Sequence, residues 1–517
     1  MKPGQGRRRR WIVSRLAMVK RAHSSADRLR SVQVAHPSLP LALLAVLAVL
    51  SLGARAAWLG EPCRVSCHSA ADHVLIFDEA YYVNAARVIA GVRPAPGQPY
   101  AGAPAGVDPN AEHPQLAKLI IAGSIELLGD GPLAWRLGSL VMGSLAILGL
   151  FALVRGAGGG RWLALGACTL MATDNLMLVH GRIGTLDVYA LAAMIWGVAL
   201  YLRGQPLLAG AAIGLGACAK LLAVDALFIV VLAEGLVAVS ARRDHRAGRR
   251  GGGAGADGRI DSGPGARGYL VAARGVLGLG ACGLSCATVF LAVLAIMDRI
   301  AAPYDPNAGA RVARGPFAHL AHMLSFAANQ SSLHGPQGIA SSPWQWIADY
   351  KPIAYLYINP AQPASGFYHA HPAVHFLGMV SPPILLLALP ALALAVRGLV
   401  RRRGSEPVGL AGHGPPPLPG RGPGAAPRPA GAPFPARGEL DAIGLAWTIG
   451  TFAPFELLSL LFGRTSYLYY MLLVMPGIYV VVAQVVARAR GHPRLVGLWA
   501  AAVLVAVLAM YPFMPLP

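Results

Sequence analysis

The stretch SLPLALLAVLAVLSLGARAAW, residues 38–58, decides the fold, because it is a continuous apolar segment long enough to cross a bilayer. Comparable apolar runs recur along the rest of the chain. They lie at 134–154, 162–180, 187–202, 206–222, 225–240, 270–297, 377–397, 440–462, 466–487 and 495–514. The sequence therefore predicts an all-α polytopic membrane protein with roughly 11 transmembrane helices.

Composition supports a membrane protein. Of the 517 residues, 55% are hydrophobic and 13% are charged, whereas soluble domains carry about 25% charged residues. The formal net charge of +21 could indicate nucleic-acid binding. However, most Lys and Arg residues fall in segments that face one side when the spans are counted from a cytoplasmic N-terminus, as the positive-inside rule requires. We therefore expect no nucleic-acid partner.

The spans divide the chain into six parts. Residues 1–37 form a basic cytoplasmic tail, 38–240 a transmembrane module with a long outer loop at 60–133, 241–269 a cytoplasmic loop, 270–397 further helices with a second outer loop at 298–376, 398–439 a second cytoplasmic loop, and 440–517 the C-terminal helices. Within the cytoplasmic loops, residues 247–266 and 404–436 are rich in Gly and Pro and lack apolar periodicity, so we predict that they are disordered.

The first outer loop contains FDEAYYVNAARVIAG, residues 77–91, in which an acidic pair precedes a helical apolar pattern. Asp78 and Glu79 would therefore start a helix near the membrane surface. Ionisable groups close to lipid are costly and often functional. The alternative is that both residues only cap the helix, where acidic side chains are favoured.

Further charged residues are expected on the same face. They are Glu112, His113 and Lys118 in EHPQLAKLIIA (112–122), Arg136, Asp174, Arg182, Asp187, Lys220 and Arg464. Clustered Arg and Lys at headgroup depth would suit a lipid-linked phosphate, and an adjacent carboxylate would suit a general base. Each residue also has a structural interpretation. Lys118 can snorkel, Arg136 and Arg464 can be interfacial anchors, and Arg182 with Asp187 can form an ion pair.

Two other features of the outer loops allow more than one interpretation. Cys63 and Cys67 can form a disulfide in an oxidising compartment, or bind a metal together with His68 and His73. The stretch SSPWQWIADYKPIAYLYINP, residues 341–360, has an aromatic density that suits either an interfacial belt or a platform for stacking a sugar.

Five of these segments, in this order, resemble the protein O-mannosyltransferase family of phospholipid-carrier-dependent glycosyltransferases. They are FDEAYYVNAARVIAG, EHPQLAKLIIA, TDNLMLVHGRIGTLDVYA (173–190), AIGLGACAKLLAV (212–224) and GRTSYLYYMLLVMP (463–476). Gln115 and Ala117 depart from the Pro and Gly of the family segment. The resemblance implies the GT-C fold, with its active site on the extracytoplasmic face of the cell membrane.

The resemblance also implies a reaction. A polyprenyl-phosphate sugar, most often mannose, would donate its sugar with inversion to Ser or Thr hydroxyls of exported proteins. Asp78 would be the base, and Glu79 would position the acceptor or a cation. Arg136, Lys220 and Arg464 would bind the donor phosphate, whereas Glu112, His113, Lys118, Arg182 and Asp187 would shape the site. No cofactor is required, although Asp78 and Glu79 could hold Mg²⁺ or Mn²⁺. The partners would be donor, acceptor, bilayer and the protein translocation machinery.

Three alternatives remain open at this stage. The same fold could transfer another lipid-linked sugar, such as arabinose or aminoarabinose, to a glycolipid or cell-wall glycan, and the departures at Gln115 and Ala117 allow this. A secondary transporter would place its ionisable groups near the bilayer midplane in repeated halves, whereas here the charges gather at one face. A non-catalytic structural protein would require the acidic pair to be idle.

Overall fold

The computed structural model describes residues 38–63, 67–251, 264–312, 315–332, 334–358, 374–400 and 439–514. The predicted tail at 1–37 and the predicted disordered stretch at 404–436 lie outside these ranges. Of the other predicted disordered stretch, 247–266, helices cover both ends, and residues 252–263 lie outside the description. The chain divides into two compact units between Leu47 and Ala48, and the packing, the cavity and the contacts given below lie in the second unit.

The described residues are mainly helical. The helices are α1 Leu39–Ala56, α2 Glu79–Ile89, α3 Leu116–Leu128, α4 Pro132–Gly156, α5 Arg161–Thr173, α6 Asn175–His180, α7 Asp187–Leu202, α8 Pro206–Ala219, α9 Asp225–Gly251, α10 Pro264–Ile300, α11 Pro316–Asn329, α12 Pro343–Trp346, α13 Pro382–Leu386, α14 Ala388–Val400, α15 Glu439–Phe462, α16 Met471–Arg488 and α17 Pro493–Ala509. Short 3₁₀ turns lie at Leu221–Val224, Leu468–Tyr470 and Ala489–Gly491.

Seven stretches of the described chain are long and apolar enough to cross a membrane. They are Leu39–Ala56, Pro132–Gly156, Leu221–Val239, Gly275–Ile300, Pro382–Val400, Leu440–Phe462 and Leu468–Gly491. Shorter apolar helices occupy Asp187–Leu202, Pro206–Ala219 and Pro493–Ala509. The chain is thus a multi-pass membrane protein, while the number of eleven spans stays a prediction.

Two predicted spans are interrupted by polar residues. The run at 162–180 breaks at Asp174, which ends α5 and accepts a hydrogen bond from the backbone N–H of Leu176 to start α6. The run at 206–222 ends early because Lys220 has an extended backbone, with φ −151° and ψ 126°. Both breaks bring a charged side chain to the end of a helix, where apolar periodicity alone predicts a continuous helix.

Among the residues that the structure describes, five short strands join the long segments between helices. Val107–Asp108 (β1) pairs in parallel with Ala302–Asp305 (β2), which pairs with Ala310–Arg311 (β3) in the antiparallel sense. A second, antiparallel pair joins Ile353–Ile358 (β4) to Val374–Gly378 (β5). Because β1 follows α2 and β2 follows α10, the first sheet connects the two segments that were predicted as long loops.

Close packing of α4, α7 and α8 supports the long segments between helices. Helix α7 packs between α4 and α8, and almost all of its side chains are buried. At Gly138 of α4, a Cβ would lie 1.9 Å from the hydroxyl of Tyr189 on α7, so only glycine permits this approach. The close contact fixes the start of α7, which carries Asp187, against α4, which carries Arg136.

Candidate active site

A cavity of about 590 Å³ opens where the long segments meet the helix ends. Residues from α2, the segment before α3, the turn after α8, α11, α15 and the turn before α16 line it. Five of the residues predicted from the sequence are among them, namely Asp78, Glu112, His113, Lys220 and Arg464. The cavity therefore brings together two of the predicted carboxylates and two of the predicted cations.

Asp78 precedes α2 in the cavity wall. Its backbone carbonyl accepts hydrogen bonds from the N–H groups of Tyr81 and Tyr82, but its side chain makes no capping hydrogen bond. Helix capping therefore does not explain this carboxylate. Burial raises the pKa of Asp78 to about 7, with Lys220 lowering it and Asp187 raising it. A carboxyl with such a pKa can exchange a proton near neutral pH, as a general base must.

The conformation of the preceding residue directs Asp78 into the cavity. Phe77 has a φ of 55°, in the left-handed region that non-glycine residues seldom adopt. Its ring stacks on Tyr355 of β4, with centroids 4.1 Å apart. The hydroxyl of Tyr355 in turn forms a hydrogen bond with Nε2 of His180 at 2.8 Å. The packing of this aromatic group holds the uncommon backbone geometry beside the carboxylate.

Glu79 has the opposite environment from Asp78. It is fully buried, and Oε1 accepts from Arg136 Nε (2.8 Å) and the Gly184 N–H (2.7 Å). Oε2 accepts from Arg136 Nη2 (2.8 Å) and the Ile76 N–H (2.8 Å). This geometry does not support the predicted acceptor-positioning role of Glu79. Nor does the Asp78–Glu79 pair fit Mg²⁺ or Mn²⁺, because both oxygens of Glu79 already accept two hydrogen bonds.

Arg136 is occupied by the same network. Besides Glu79, its guanidinium donates to the backbone carbonyls of Leu59 and Val74. It is buried and does not line the cavity. The predicted phosphate-binding role of Arg136 is therefore not supported. Instead, its hydrogen bonds join α4 to the segment that precedes Asp78.

Lys220 and Asp187 form a buried ion pair at the cavity wall. Lys220 Nζ lies 2.6 Å from Asp187 Oδ1. It also lies 5.4 Å from the ring centroid of Tyr469 and 5.2 Å from that of Tyr470, within the range of cation–π contacts. The predicted Arg182–Asp187 ion pair is thus replaced by a Lys220–Asp187 pair. Arg182 lies away from the cavity and donates to the carbonyl of Ala57 at 2.7 Å.

Arg464 is the better candidate for a phosphate ligand. Its guanidinium donates to the carbonyl of Ala327 and lines the cavity. Among the residues that the structure describes, no carboxylate forms a salt bridge with it. A cation with remaining donors and no acidic partner can accept an incoming anion without first breaking an ion pair.

The predicted site-shaping residues 112–118 share a local network. Lys118 is fully buried, pairs with Asp108 at 2.6 Å and donates to the His113 carbonyl at 2.9 Å, so it does not snorkel. Glu112 accepts from the side chain of Asn110 at 2.7 Å. Burial raises the pKa of Glu112 and lowers the pKa of His113. Lys118 therefore holds the loop that presents Glu112 and His113.

The aromatic lining of the cavity was missed from the sequence. It consists of Phe77, Tyr81, Tyr82, Phe326, Phe455, Tyr467, Tyr469 and Tyr470. The predicted platform at 341–360 does not form this lining, since none of its described residues lines the cavity. Trp346, for example, is buried against Phe455 and Tyr470. The pattern YLYY at 467–470 was the available indication, because three tyrosines adjoin a cation that was already singled out.

The cysteine pair of the first long segment forms a disulfide. Cys63 and Cys67 are bonded, and Nδ1 of His73 lies 3.1 Å from Cys63 Sγ. These three residues could hold a metal only with the disulfide reduced. The four remaining cysteines, which include Cys282 and Cys286, are buried thiols.

Apolar helices with a cavity at their ends make up the described fold, and a solved glycosyltransferase of the GT-C class shares this fold. The S. cerevisiae protein O-mannosyltransferase Pmt1–Pmt2 complex bound to the sugar donor matches 92% of this chain and 90% of its own chain, with a TM-score of 0.59 at 11% identity. This likeness shows the GT-C fold predicted from the sequence. ArnT from Cupriavidus metallidurans bound to undecaprenyl phosphate matches 90% of this chain and 62% of its own, with a TM-score of 0.45 at 16% identity.

Sequence comparison gives a narrower result. Residues 112–247 match the model of the dolichyl-phosphate-mannose-protein mannosyltransferase family. A polyprenol-phosphate-mannose–protein mannosyltransferase of Corynebacterium glutamicum is 31% identical over 121 residues, and the match spans 22% of this chain and 22% of that relative. Over this part of the chain, the resemblance to the protein O-mannosyltransferases is confirmed.

Proposed function

We propose that the protein is a membrane mannosyltransferase that moves mannose from a polyprenyl-phosphate carrier to Ser or Thr hydroxyls of exported proteins. The family match and the GT-C fold support this proposal. The observation that carries it is the shared cavity, where the raised-pKa carboxyl of Asp78 faces the same space as Lys220 and Arg464. This placement provides a base and phosphate ligands for a single displacement.

In the proposed reaction, Asp78 accepts the proton of the acceptor hydroxyl while the oxygen forms a bond to the anomeric carbon of mannose. The bond from that carbon to the phosphate oxygen breaks, and the configuration inverts. The departing polyprenyl phosphate gains negative charge, which Arg464 and Lys220 stabilise. Because Asp187 already compensates Lys220, Arg464 provides the larger part of the new interaction.

The tyrosines suit the uncharged part of the donor. Tyr467, Tyr469 and Tyr470 line the same cavity as Lys220 and Arg464. Lys220 Nζ lies 5.4 Å from the ring centroid of Tyr469 and 5.2 Å from that of Tyr470, and the rings of Tyr467 and Tyr469 are stacked with centroids 5.6 Å apart. An aromatic face packs well against the apolar face of a pyranose ring while hydroxyl groups hydrogen-bond its rim. We therefore assign sugar binding to this group rather than to residues 341–360.

The proposal includes an orientation in the membrane. The N-terminus would be cytoplasmic and the cavity would open on the extracytoplasmic face, as the distribution of Lys and Arg indicates. Exported proteins would then reach the cavity as they cross the membrane, so the translocation machinery is a proposed partner. A cysteine-accessibility assay in intact cells tests the orientation, with Arg93→Cys as the exposed cysteine in a chain that lacks Cys63 and Cys67 and keeps the four buried thiols. Labelling only after lysis would contradict it.

The proposed activity is tested by direct transfer. Purified protein in lipid is mixed with radiolabelled polyprenyl-phosphate mannose and a Ser/Thr-rich peptide, and label in the peptide is counted. Parallel reactions use polyprenyl-phosphate arabinose and replace the peptide by a glycolipid acceptor. Transfer of mannose to the peptide supports the proposal, whereas transfer only with the alternative donor or acceptor assigns another sugar reaction to the same site.

The transfer rate is expected to depend on pH. Since Asp78 must be ionised to accept a proton and its pKa is raised to about 7, kcat/KM should increase as the pH rises through that value. The measurement is kcat/KM for the acceptor between about pH 5 and about pH 9. A rate that stays level down to pH 5 would contradict Asp78 as a buried base.

Replacement of Arg464 should weaken donor binding. A hydrogen bond to a charged group contributes about 1.5–3 kcal/mol, so Arg464→Ala should raise the donor Kd by roughly 10- to 100-fold. Arg464→Lys keeps the charge but not the planar set of guanidinium donors, so its donor Kd should lie between those of wild type and Arg464→Ala. The measurement is donor titration of each purified variant, with the exposed Arg93→Ala as a control. Normal donor affinity in Arg464→Ala would remove this residue from the phosphate site.

A further inference from the structure

A group of three polar residues, two of them fully buried and one half-buried, lies behind the loop that presents Glu112 and His113 to the cavity. It consists of Gln115 at the start of α3, Asp298 near the end of α10 and His319 on α11. His319 Nδ1 lies 2.7 Å from Asp298 Oδ1, and the Gln115 side-chain amide donates to the same oxygen at 2.8 Å. His319 Nε2 lies 3.0 Å from the carbonyl oxygen of Ala111.

The partners of His319 determine where its protons lie. A backbone carbonyl only accepts hydrogen bonds, so Nε2 must carry a hydrogen and donate it to Ala111. The short contact between Nδ1 and Asp298 Oδ1 must also contain a proton, because two facing lone pairs would repel each other at 2.7 Å. Both ring nitrogens are therefore engaged, and His319 links α10 to the backbone of the loop.

The link reaches the residue next to Glu112. Ala111 is bonded through its carbonyl carbon to the nitrogen of Glu112, so the His319 contact fixes the peptide plane that precedes Glu112. On the other side, Lys118 donates to the carbonyl of His113 at 2.9 Å. The two cavity residues are thus held from both ends, while their side chains stay in the cavity lining.

We propose that His319, through its contacts with Asp298 and Ala111, is a positioning residue that fixes Glu112 and His113 at the transfer site. The proposal rests on the proposed function of the cavity. His319 is fully buried and does not line the cavity, so it acts on the reaction through the loop. Gln115, which departs from the family segment, belongs to the same device because it shares Asp298 Oδ1 with His319.

Two substitutions of nearly equal size separate the two contacts of His319. His319→Gln places an amide nitrogen near the position of Nε2 and keeps donation to Ala111. His319→Asn places an amide nitrogen near the position of Nδ1, so it keeps donation to Asp298 and loses the hydrogen bond to the carbonyl of Ala111. With donor and acceptor supplied to the full-length protein, we expect His319→Asn to lower kcat about tenfold. This is less than the ~10²-fold loss that a fully misplaced group can cause. His319→Gln should stay closer to wild type, and both should keep the donor Kd.

A second readout does not depend on activity. Amide hydrogen exchange of residues 111–119 should become roughly tenfold faster in His319→Asn than in His319→Gln, because only the former frees the loop. Equal kcat and equal exchange in the two variants, or a loss that follows the midpoint of thermal unfolding, would overturn the positioning role. If the wild-type protein transfers no sugar, the proposed function fails, and the exchange comparison still decides whether His319 holds the loop.

Discussion

Asp78→Asn is expected to lower the rate of sugar transfer by about 10²- to 10⁴-fold, the range typical for the loss of a general base. Asparagine keeps the size of the side chain but cannot accept the hydroxyl proton as the new glycosidic bond forms. Lys220 and Arg464 line the cavity independently of Asp78, so donor affinity should change little. The loss should therefore appear in kcat rather than in donor binding.

The measurement is kcat for peptide glycosylation together with the donor Kd, for wild type and Asp78→Asn. Glu126→Gln, which changes an exposed carboxylate on α3, is the matched control and should leave both values unchanged. Wild-type kcat in Asp78→Asn would contradict the assigned base. A large loss of donor affinity would instead make Asp78 part of the donor site.

Stability separates a catalytic loss from unfolding. The pKa of Asp78 is raised from an ordinary value of 3.8 to about 7, so the folded state holds the proton more tightly than the unfolded chain. Stability from this group is therefore present at low pH and falls as the pH rises from about 3.8 to about 7. Above that range, Asp78→Asn should unfold at a temperature equal to or higher than that of wild type. A clear decrease would mean that the carboxylate supports the fold.

Arg136→Met is expected to lower the free energy of unfolding by about 3–5 kcal/mol, because it leaves the buried charge of Glu79 without its partner. Four donors converge on Glu79, and Arg136 supplies two of them. The double variant Glu79→Gln, Arg136→Met removes both charges and should be more stable than Arg136→Met alone. This non-additivity is expected for residues in one network.

Thermal unfolding of the purified variants in lipid measures these differences, with donor titration as the second readout. Arg93→Ala changes an exposed cation and serves as the control. If Arg136→Met loses donor affinity while its unfolding temperature stays at the wild-type value, Arg136 belongs to the phosphate site after all. The structure places it behind that site because it is buried, does not line the cavity and donates to Glu79 and to two backbone carbonyls.

The sequence predicted the membrane class of the protein, its GT-C fold and much of the cavity. Length and hydropathy predict the long apolar helices directly. Ionisable residues close to apolar segments singled out Asp78, Lys220 and Arg464, which line one cavity in the structure, while their roles stay predictions. Two neighbouring carboxylates could not be distinguished in this way. Asp78 precedes α2 and lines the cavity, whereas Glu79 is the first residue of α2 and is buried against Arg136.

Long-range partners explain the remaining differences. Lys220 pairs with Asp187 across 33 residues, and His319 reaches Ala111 across 208 residues. Local spacing and periodicity do not predict pairs so far apart in the sequence, because these pairs depend on how the helices pack. The same limit explains why Arg136 could not be assigned to Glu79, and why the tyrosines at 467–470 rather than the aromatic residues at 341–358 line the cavity.

The stack of Phe77 on Tyr355 has a consequence for how the protein can diverge. Tyr355 belongs to β4 and supports from behind the residue that aims the reactive carboxylate. Its strand neighbour Tyr357 is exposed on the hairpin. Mutations at Tyr357 could therefore alter what the hairpin meets outside, such as an acceptor chain, at little cost to chemistry. Mutations at Tyr355, which does not line the cavity, would disturb the stack behind Asp78, so the two positions should tolerate change very unequally in a saturation screen.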